Sequence, residues 1–176
     1  MHEAAKKLID RFQMARIPQE GAWFAPTYRS DEHVTVTGAA RYPGPRVAWS
    51  AIVCVQTRTD FSGLHRLATD ELWHFYDGHP IELLLLHPDG RGELAVLGRN
   101  LAAGEHPQFL VPRAVWQASR PIGGDEAWTF FGNTLAPGFD YADFEIGYRE
   151  ELQARYPAFA AKIAELTRPE HVRRSS

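Results

Sequence analysis

Residues 23–135 form a succession of short runs in which apolar and polar side chains alternate. A period of two is typical of β-strands, because successive side chains point to opposite faces. Turn-forming sequences such as GHP, PDGRG and PIGGDE separate the runs. Many short strands at close spacing predict a sandwich or barrel. The predicted strands cover residues 23–29, 48–57, 71–76, 81–87, 92–98, 108–111, 115–119 and 127–135.

The two ends of the chain have helical periodicity instead. Leu8, Ile9 and Phe12 share one face of a helix predicted over residues 3–15, which Pro18 would end. Residues 143–167 return to a helical pattern, with a proline placed to begin a second short helix at position 157. The pattern therefore predicts a β-rich centre flanked by short terminal helices.

Composition narrows the class of protein. The 176 residues, 44% of them hydrophobic, suit one domain with a substantial core. A formal net charge of −3 indicates no general attraction to nucleic acid or to anionic membranes, so we expect neither as a partner. No apolar run approaches the roughly 20 residues needed to span a bilayer. The N-terminus is amphipathic rather than signal-like, and we expect a soluble, cytoplasmic protein.

Cys54 is the single cysteine of the chain, and it lies within the apolar run AWSAIVCVQT. One cysteine excludes an internal disulfide and any zinc site built from several cysteines. A small buried core residue is the expected role of this side chain.

Strand parity places the candidate chemistry. Residues 65 and 67 share one side of a strand, and residues 71, 73 and 75 share one side of the next. Glu71, Trp73 and Phe75 are therefore predicted to face the interior, while His74 and Tyr76 point the other way. A lone carboxyl group between aromatic rings is a candidate for a shifted pKa and for chemistry.

The stretches HRLATDELWHFYDG and VPRAVWQ resemble the two motifs of cupin β-barrels. His65, Glu71 and Gly78 have the spacing of the first motif, but Leu67 stands where that motif has a second histidine. Gln117 stands where the second motif ends in a histidine. Half of the metal-binding set of these motifs is therefore replaced.

Three further strings resemble one branch of the cupins, the Cupin_5 family, also known as DUF985. They are IPQEGAWFAPTYRS, GEHPQFLVPRAVWQAS and LAPGFDYADFEI, in the order that the family has them. Ala114 stands where the family has a glycine, a departure that concerns local turn geometry.

The resemblance implies an all-β fold, a cupin double-stranded β-helix or jelly-roll barrel with short terminal helices. It also implies an interior pocket and a homodimer. We expect a single cupin domain over residues 1–176, with its core at about 5–157 and a C-terminal helical tail at 143–170.

His65 and Glu71 are the predicted catalytic residues. An imidazole can act as a general base near neutral pH, and a carboxylate can orient it. Removing a proton next to a carbonyl group also needs a donor for the developing enolate, and Tyr28, Arg66 or Gln117 could supply it. The leading hypothesis is a metal-free isomerase or epimerase that acts on a carbohydrate-like small molecule.

Two alternatives stay open on the sequence. One is a non-catalytic, storage-like cupin whose pocket holds a small ligand. The other is a metal-dependent cupin in which His65, Glu71 and Gln117 bind a divalent transition metal weakly. Loss of two imidazoles argues against a tight site, because imidazole nitrogen suits such metals.

The remaining candidates are residues that could contact a ligand or support the site. Asp143 is expected to cap a helix, and Arg168 to lie in a frayed C-terminus. The predicted ligand-binding residues are Glu20, Tyr28, Arg66, Trp73, Trp116 and Gln117.

Overall fold

The computed structural model describes residues 1–38 and 40–174. Its helices are α1 (Glu3–Phe12), α2 (Arg149–Arg155) and α3 (Ala160–Glu165), with 3-10 turns at Leu101–Ala103, Tyr141–Asp143, Pro157–Phe159 and Pro169–His171. The strands are β1 (Ala15–Arg16), β2 (Trp23–Arg29), β3 (His33–Val34), β4 (Arg46–Val47), β5 (Ser50–Thr57), β6 (Ser62–Leu67), β7 (Glu71–Gly78), β8 (Ile81–Leu86), β9 (Gly92–Leu97), β10 (Gln108–Val111), β11 (Trp116–Pro121), β12 (Trp128–Leu135) and β13 (Phe144–Ile146).

Two antiparallel sheets build the barrel. One has the strand order β1-β2-β5-β12-β7-β10 and the other the order β13-β6-β11-β8-β9. A small two-stranded ribbon of β3 and β4 lies beside them. Most pairs in the two large sheets join strands that are not consecutive in the chain, and the α-helices lie at the ends of the chain. The predicted all-β jelly-roll fold with short terminal helices is confirmed.

The core between the sheets consists of apolar side chains from both of them. Strand β8 contributes the run Leu83–Leu86, each of whose leucines is at most 1% exposed. These leucines do not alternate with polar residues, because both faces of β8 are covered. One face meets the interior, and the other packs beneath α2 and α3 through Leu152, Tyr156 and Ile163.

The helix limits differ from the sequence pattern at both ends. Helix α1 ends at Phe12, well before Pro18, because Gln13 adopts the left-handed conformation with φ 50° and closes the last turn. The C-terminal segment begins with strand β13, which pairs with β6, so the helical pattern expected from residue 143 is wrong there. Pro157 does lie at the start of the turn that leads into α3, as predicted.

Across the part of the chain that the structure describes, the helices are too short or too polar to cross a membrane.

Candidate functional site

A cavity of about 160 Å³ lies between the two sheets. Its polar lining includes Glu20, His65, Glu71 and Asn133. Aromatic side chains supply most of the wall: Phe24, Tyr28, Trp73, Phe131, Phe139, Tyr141 and Phe144. A cavity of this order of volume is known to hold a benzene-sized molecule. The site is therefore a small, mostly apolar chamber with a few convergent polar groups.

His65 comes from β6 and is 3% exposed. Its Nδ1 lies 2.8 Å from the carbonyl oxygen of Gly63, an atom that can only accept. Nδ1 therefore carries the proton, and Nε2 keeps its lone pair when the ring is neutral. Nε2 lies 3.9 Å from Oε2 of Glu20, and the ring stacks on Phe144. This tautomer presents a proton acceptor at the cavity.

Glu71 begins β7 and is 7% exposed. Its Oε2 accepts hydrogen bonds from Nε2 of Gln117 at 2.6 Å and from Nε1 of Trp73 at 3.1 Å. Burial raises the pKa of Glu71 from 4.5 to about 7. The charge of His65 opposes this rise, the charge of Glu20 adds to it, and the hydrogen bonds from Gln117 and Trp73 oppose it. Because Oε2 is engaged twice, the proton of the neutral acid belongs on Oε1. Glu71 can therefore donate or accept a proton near neutral pH.

Glu20 reaches the cavity from the loop between β1 and β2. Its Oε1 accepts from the hydroxyl of Ser62 at 2.5 Å. Its backbone carbonyl accepts from the amide of Gly63 at 3.0 Å and from Nε of Arg168 at 2.9 Å. Arg168 also donates to the carbonyl of Phe61 and lies over that ring. The expectation that Arg168 lies in a frayed terminus is therefore wrong, because its side chain anchors the Glu20 loop.

The altered motif positions meet at the floor of the site. Gln117 and His65 are paired residues of β11 and β6, and Gln117 is 1% exposed. Oε1 of Gln117 accepts from Nε1 of Trp73 at 3.0 Å, so its amide orients both Trp73 and Glu71. Leu67 adds an apolar wall. Ala114 has φ 64°, the left-handed conformation that favours glycine, so the turn geometry is kept despite the substitution.

Arg66 and Trp116, two of the predicted ligand contacts, do not line this cavity. Arg66 lies between His65 and Leu67, which line the cavity, and Trp116 precedes Gln117, which donates to Glu71. The side chains of Arg66 and Trp116 therefore point to the opposite face of the sheet. The guanidinium of Arg66 lies over the ring of Trp116 and pairs with Glu145 at 2.6 Å. The structure therefore places these two predicted ligand contacts outside the cavity that holds His65 and Glu71.

Tyr28 lies at the rim of the cavity rather than in its interior. It is 43% exposed and stacks on Trp49, with 4.1 Å between ring centroids. Arg29 also reaches the rim, where its Nη1 donates to the carbonyl of Phe139 at 2.9 Å. The rim therefore offers exposed ring faces and a guanidinium group.

Two further predictions concern residues outside the cavity, His74 and Asp143. His74 faces away from the cavity and contacts Thr134 and Gln108, as predicted. Asp143 does not cap a helix, because its carboxylate binds Arg46 through two contacts of 2.7 Å. Asp140 caps the 3-10 turn instead.

Sequence reasoning missed Asn133 as a functional residue. Its side chain shares the cavity face of β12 with Phe131 and Leu135. The alternating pattern of residues 127–135 was the available signal, but it does not show which strands face this one. Cys54 was predicted as a buried core residue, which is confirmed at 1% exposure, and it also lines the cavity. Burial raises the pKa of the Cys54 thiol, as do the charges of Glu20 and Glu71, so the thiol is a poor nucleophile.

The residues present do not form a ready metal site. In residues 1–38 and 40–174, no group of three histidine, cysteine, aspartate or glutamate side chains is placed to hold a metal ion. Gln117 uses both ends of its amide in hydrogen bonds to Trp73 and Glu71. We therefore derive no chemical step through a metal.

A jelly-roll barrel with a polar group at the floor of an apolar chamber defines the cupin class of proteins. Residues 6–147 match the family described as Cupin superfamily (DUF985), Cupin_5. The chain belongs to this family. A search of curated proteins gave no match.

Solved structures agree with this assignment. A protein of Shewanella oneidensis is 33% identical, with a TM-score of 0.81, over 94% of this chain and 98% of that one. A hypothetical protein of Leishmania major is 28% identical, with a TM-score of 0.80, over 93% and 98%. An oxalate decarboxylase of Lactobacillus farciminis, at 8% identity and a TM-score of 0.52 over 91% of this chain and 43% of that one, shares the fold alone.

Proposed function

We propose that this cupin is a small-molecule isomerase or epimerase that moves a proton at a carbon next to a carbonyl group. His65 is the base and Glu71 is the acid. The observation that supports this is a histidine whose Nδ1 is bonded to the carbonyl of Gly63, which leaves Nε2 as its proton acceptor, in the same chamber as a carboxyl group whose pKa is about 7. A proton acceptor and a carboxyl group that can give up a proton near neutral pH are the two groups that general acid–base catalysis requires.

The proposed reaction passes through an enol and consists only of proton transfers. Nε2 of His65 removes the proton from the carbon, and the electron pair of the broken C–H bond forms the C=C bond of an enol. The carbonyl oxygen receives the proton that Glu71 carries on Oε1. Nε2 of His65 then returns its proton, either to the neighbouring carbon of an enediol or to the opposite face of the same carbon once the enol has turned in the chamber. Glu71 takes a proton back from an enol hydroxyl, so both residues end as they began. No metal ion or redox partner takes part.

The walls favour a small ligand with a flat or cyclic body. Trp73 stacks on Phe131 with 4.9 Å between centroids and 6° between planes, which makes a rigid apolar wall. The low polarity of this chamber strengthens each hydrogen bond formed inside it. Rim residues Tyr28 and Arg29 can contact a part of the substrate that extends outward.

The test is exchange of substrate protons with solvent deuterium, followed by NMR over a panel of ketoses, cyclic ketones and keto sugars. We expect His65→Gln and Glu71→Gln to lower the exchange rate by at least about 100-fold, the lower end of what general acid–base groups contribute. His74→Gln is the matched control, since His74 faces away from the cavity.

Two results would count against the proposal. If His65→Gln exchanged protons at the rate of the wild type, His65 would not be the base. If a panel compound bound tightly in the cavity without any exchange, the protein would be a non-catalytic binder.

A further inference from the structure

Asn133 holds a buried hydrogen-bond donor that the protein itself does not use. The side chain is 4% exposed. Its Oδ1 accepts a weak hydrogen bond from the thiol of Cys54 at 3.9 Å. Its Nδ2 has no hydrogen-bond partner within residues 1–38 and 40–174. An unpaired buried donor costs folding free energy, so a group of this kind calls for an explanation.

The position of Asn133 in the barrel places its side chain at the cavity. It pairs with Trp73 of β7 on one side and with Ile52 of β5 on the other. It therefore lies in the middle of the six-stranded sheet. His65 belongs to the opposite sheet and lines the same cavity. A ligand between the sheets can contact both residues at once.

The charges around the cavity restrict the ligand. Glu20 and Glu71 line the chamber, and Arg29, an exposed residue at the rim, is the only arginine or lysine among its described lining residues. A carboxylate or phosphate inside would face two acidic groups without a buried cation to compensate. The remaining wall is largely aromatic and encloses about 160 Å³. These features favour an uncharged molecule of benzene size with an oxygen acceptor.

We propose that Nδ2 of Asn133 recognises the carbonyl oxygen of a small neutral cyclic or aromatic ketone or aldehyde. This inference deepens the proposed function and rests on it for the reaction that follows. Asn133 is then a second donor to the oxygen that Glu71 protonates, and it stabilises the negative charge that develops there. Arg66 does not serve as this second donor, because it faces the other side of the sheet and pairs with Glu145. Gln117 does not serve either, because its amide donates to Glu71 at the floor of the cavity.

The test compares two probes that differ in one group on the same ring. Cyclohexanone carries the carbonyl oxygen, and methylenecyclohexane has the same ring with a CH₂ group in its place. Binding is followed by NMR through the side-chain amide protons of Asn133, which are assigned by their loss in Asn133→Leu. Asn133→Leu is nearly isosteric, and Thr134→Val on the outward face of the same strand is the control.

We expect cyclohexanone to shift the Asn133 amide resonances and to bind Asn133→Leu about tenfold more weakly, the worth of one hydrogen bond. Methylenecyclohexane should bind wild type and variant equally. The thermal midpoint of Asn133→Leu should equal or exceed that of the wild type, because an unpaired donor is removed. If Asn133 instead stabilised the fold, Asn133→Leu would have a lower thermal midpoint than the wild type.

Other results separate this inference from the proposed function. Equal binding of cyclohexanone to wild type and Asn133→Leu, or no binding near the limit of its solubility, overturns the role of Asn133. Proton exchange that persists unchanged in Asn133→Leu also overturns it, while the acid–base function stands. Binding through Asn133 with no exchange at the carbon beside the carbonyl supports the recognition and overturns the catalysis.

Discussion

Glu71 is a buried carboxyl group, and its pKa of about 7 makes the stability of the protein depend on pH. The folded protein holds this proton more tightly than the unfolded chain, whose carboxyl group has its ordinary pKa of 4.5. Stability therefore falls as the pH rises from about 4.5 to about 7 and stays lower above it. The full cost is on the order of 3 kcal/mol.

We predict that Glu71→Gln removes most of this pH dependence. The variant should be more stable than the wild type at about pH 8, by up to about 3 kcal/mol, and similar to it at about pH 4. Urea denaturation at both pH values measures the difference. The exposed Glu126→Gln serves as the control. A variant that is equally destabilised at both pH values would show that Glu71 is ionised and structurally required.

At the scale of residues, the sequence was sufficient where spacing and parity act together. His65, Glu71, Trp73 and Gln117 are brought together at the cavity floor as the motif spacing indicated. Tyr28 and Glu20 also reach the cavity. Arg66 and Trp116 lie outside the cavity, because a shift of one residue along a strand moves a side chain to the other face of the sheet. Asn133 could not be found, because its missing partner is a property of the packed interior.

At the scale of elements, the alternating pattern predicted most of the long strands, but it did not predict which strands pair with each other. The limits of β2 and β10 agree with the alternating runs. Strand β13 was missed because its three residues are strand only through pairing with β6, far away in the chain. Such a short segment carries too little local signal to compete with the helical pattern that follows it.

Helices α2 and α3 cover the outer face of the five-stranded sheet, and Ile163 is the centre of that contact. Its side chain is 0% exposed. We predict that Ile163→Ala lowers the free energy of unfolding by about 2–5 kcal/mol, the usual cost of truncating a buried aliphatic side chain. Leu101→Ala, at a residue 66% exposed, should change it by less than about 0.5 kcal/mol. Equal effects in denaturant titrations would mean that α3 does not pack as described.

The ion pair of Arg46 and Asp143 joins strand β4 to the 3-10 turn before β13. Both side chains are buried, at 7% and 4% exposed. We predict that Asp143→Leu or Arg46→Met costs about 3–5 kcal/mol, because each leaves a buried charge without its partner. The double variant Arg46→Met with Asp143→Leu should recover part of that loss. Chemical denaturation of the three variants measures the coupling, and strict additivity would contradict it.

At the scale of the whole molecule, the six-stranded sheet ends in β10, an edge strand whose outer face carries the apolar Leu110. Leu110 is 54% exposed and Tyr76, on the neighbouring strand, 49%. Exposed edges and apolar patches favour association. We therefore predict a homodimer, and light scattering at micromolar concentration measures its mass. Leu110→Glu should shift a dimer to monomers, and a monomeric wild type would refute it.

The barrel as a scaffold does not decide its chemistry, because one fold can carry unrelated sites. In this protein the chemistry of the site depends on positions 67 and 117. Leu67 lines the cavity, and Gln117 of β11 pairs with His65 of β6. Histidines at both positions would complete a set of three imidazoles with Glu71. A tetrahedral site of nitrogen and oxygen ligands suits zinc, and imidazole also suits nickel.

We predict that wild-type protein retains little metal after purification and that Leu67→His with Gln117→His binds zinc or nickel far more tightly. If a complete four-ligand zinc site is worth ~10–16 kcal/mol, each added imidazole contributes about 3 kcal/mol. Elemental analysis and titration compare the two proteins, and His65→Ala in the double variant should weaken binding again. Stoichiometric metal in the wild type, lost on His65→Ala, would replace the acid–base proposal with a metal-dependent one, because His65 would then be a ligand rather than a base.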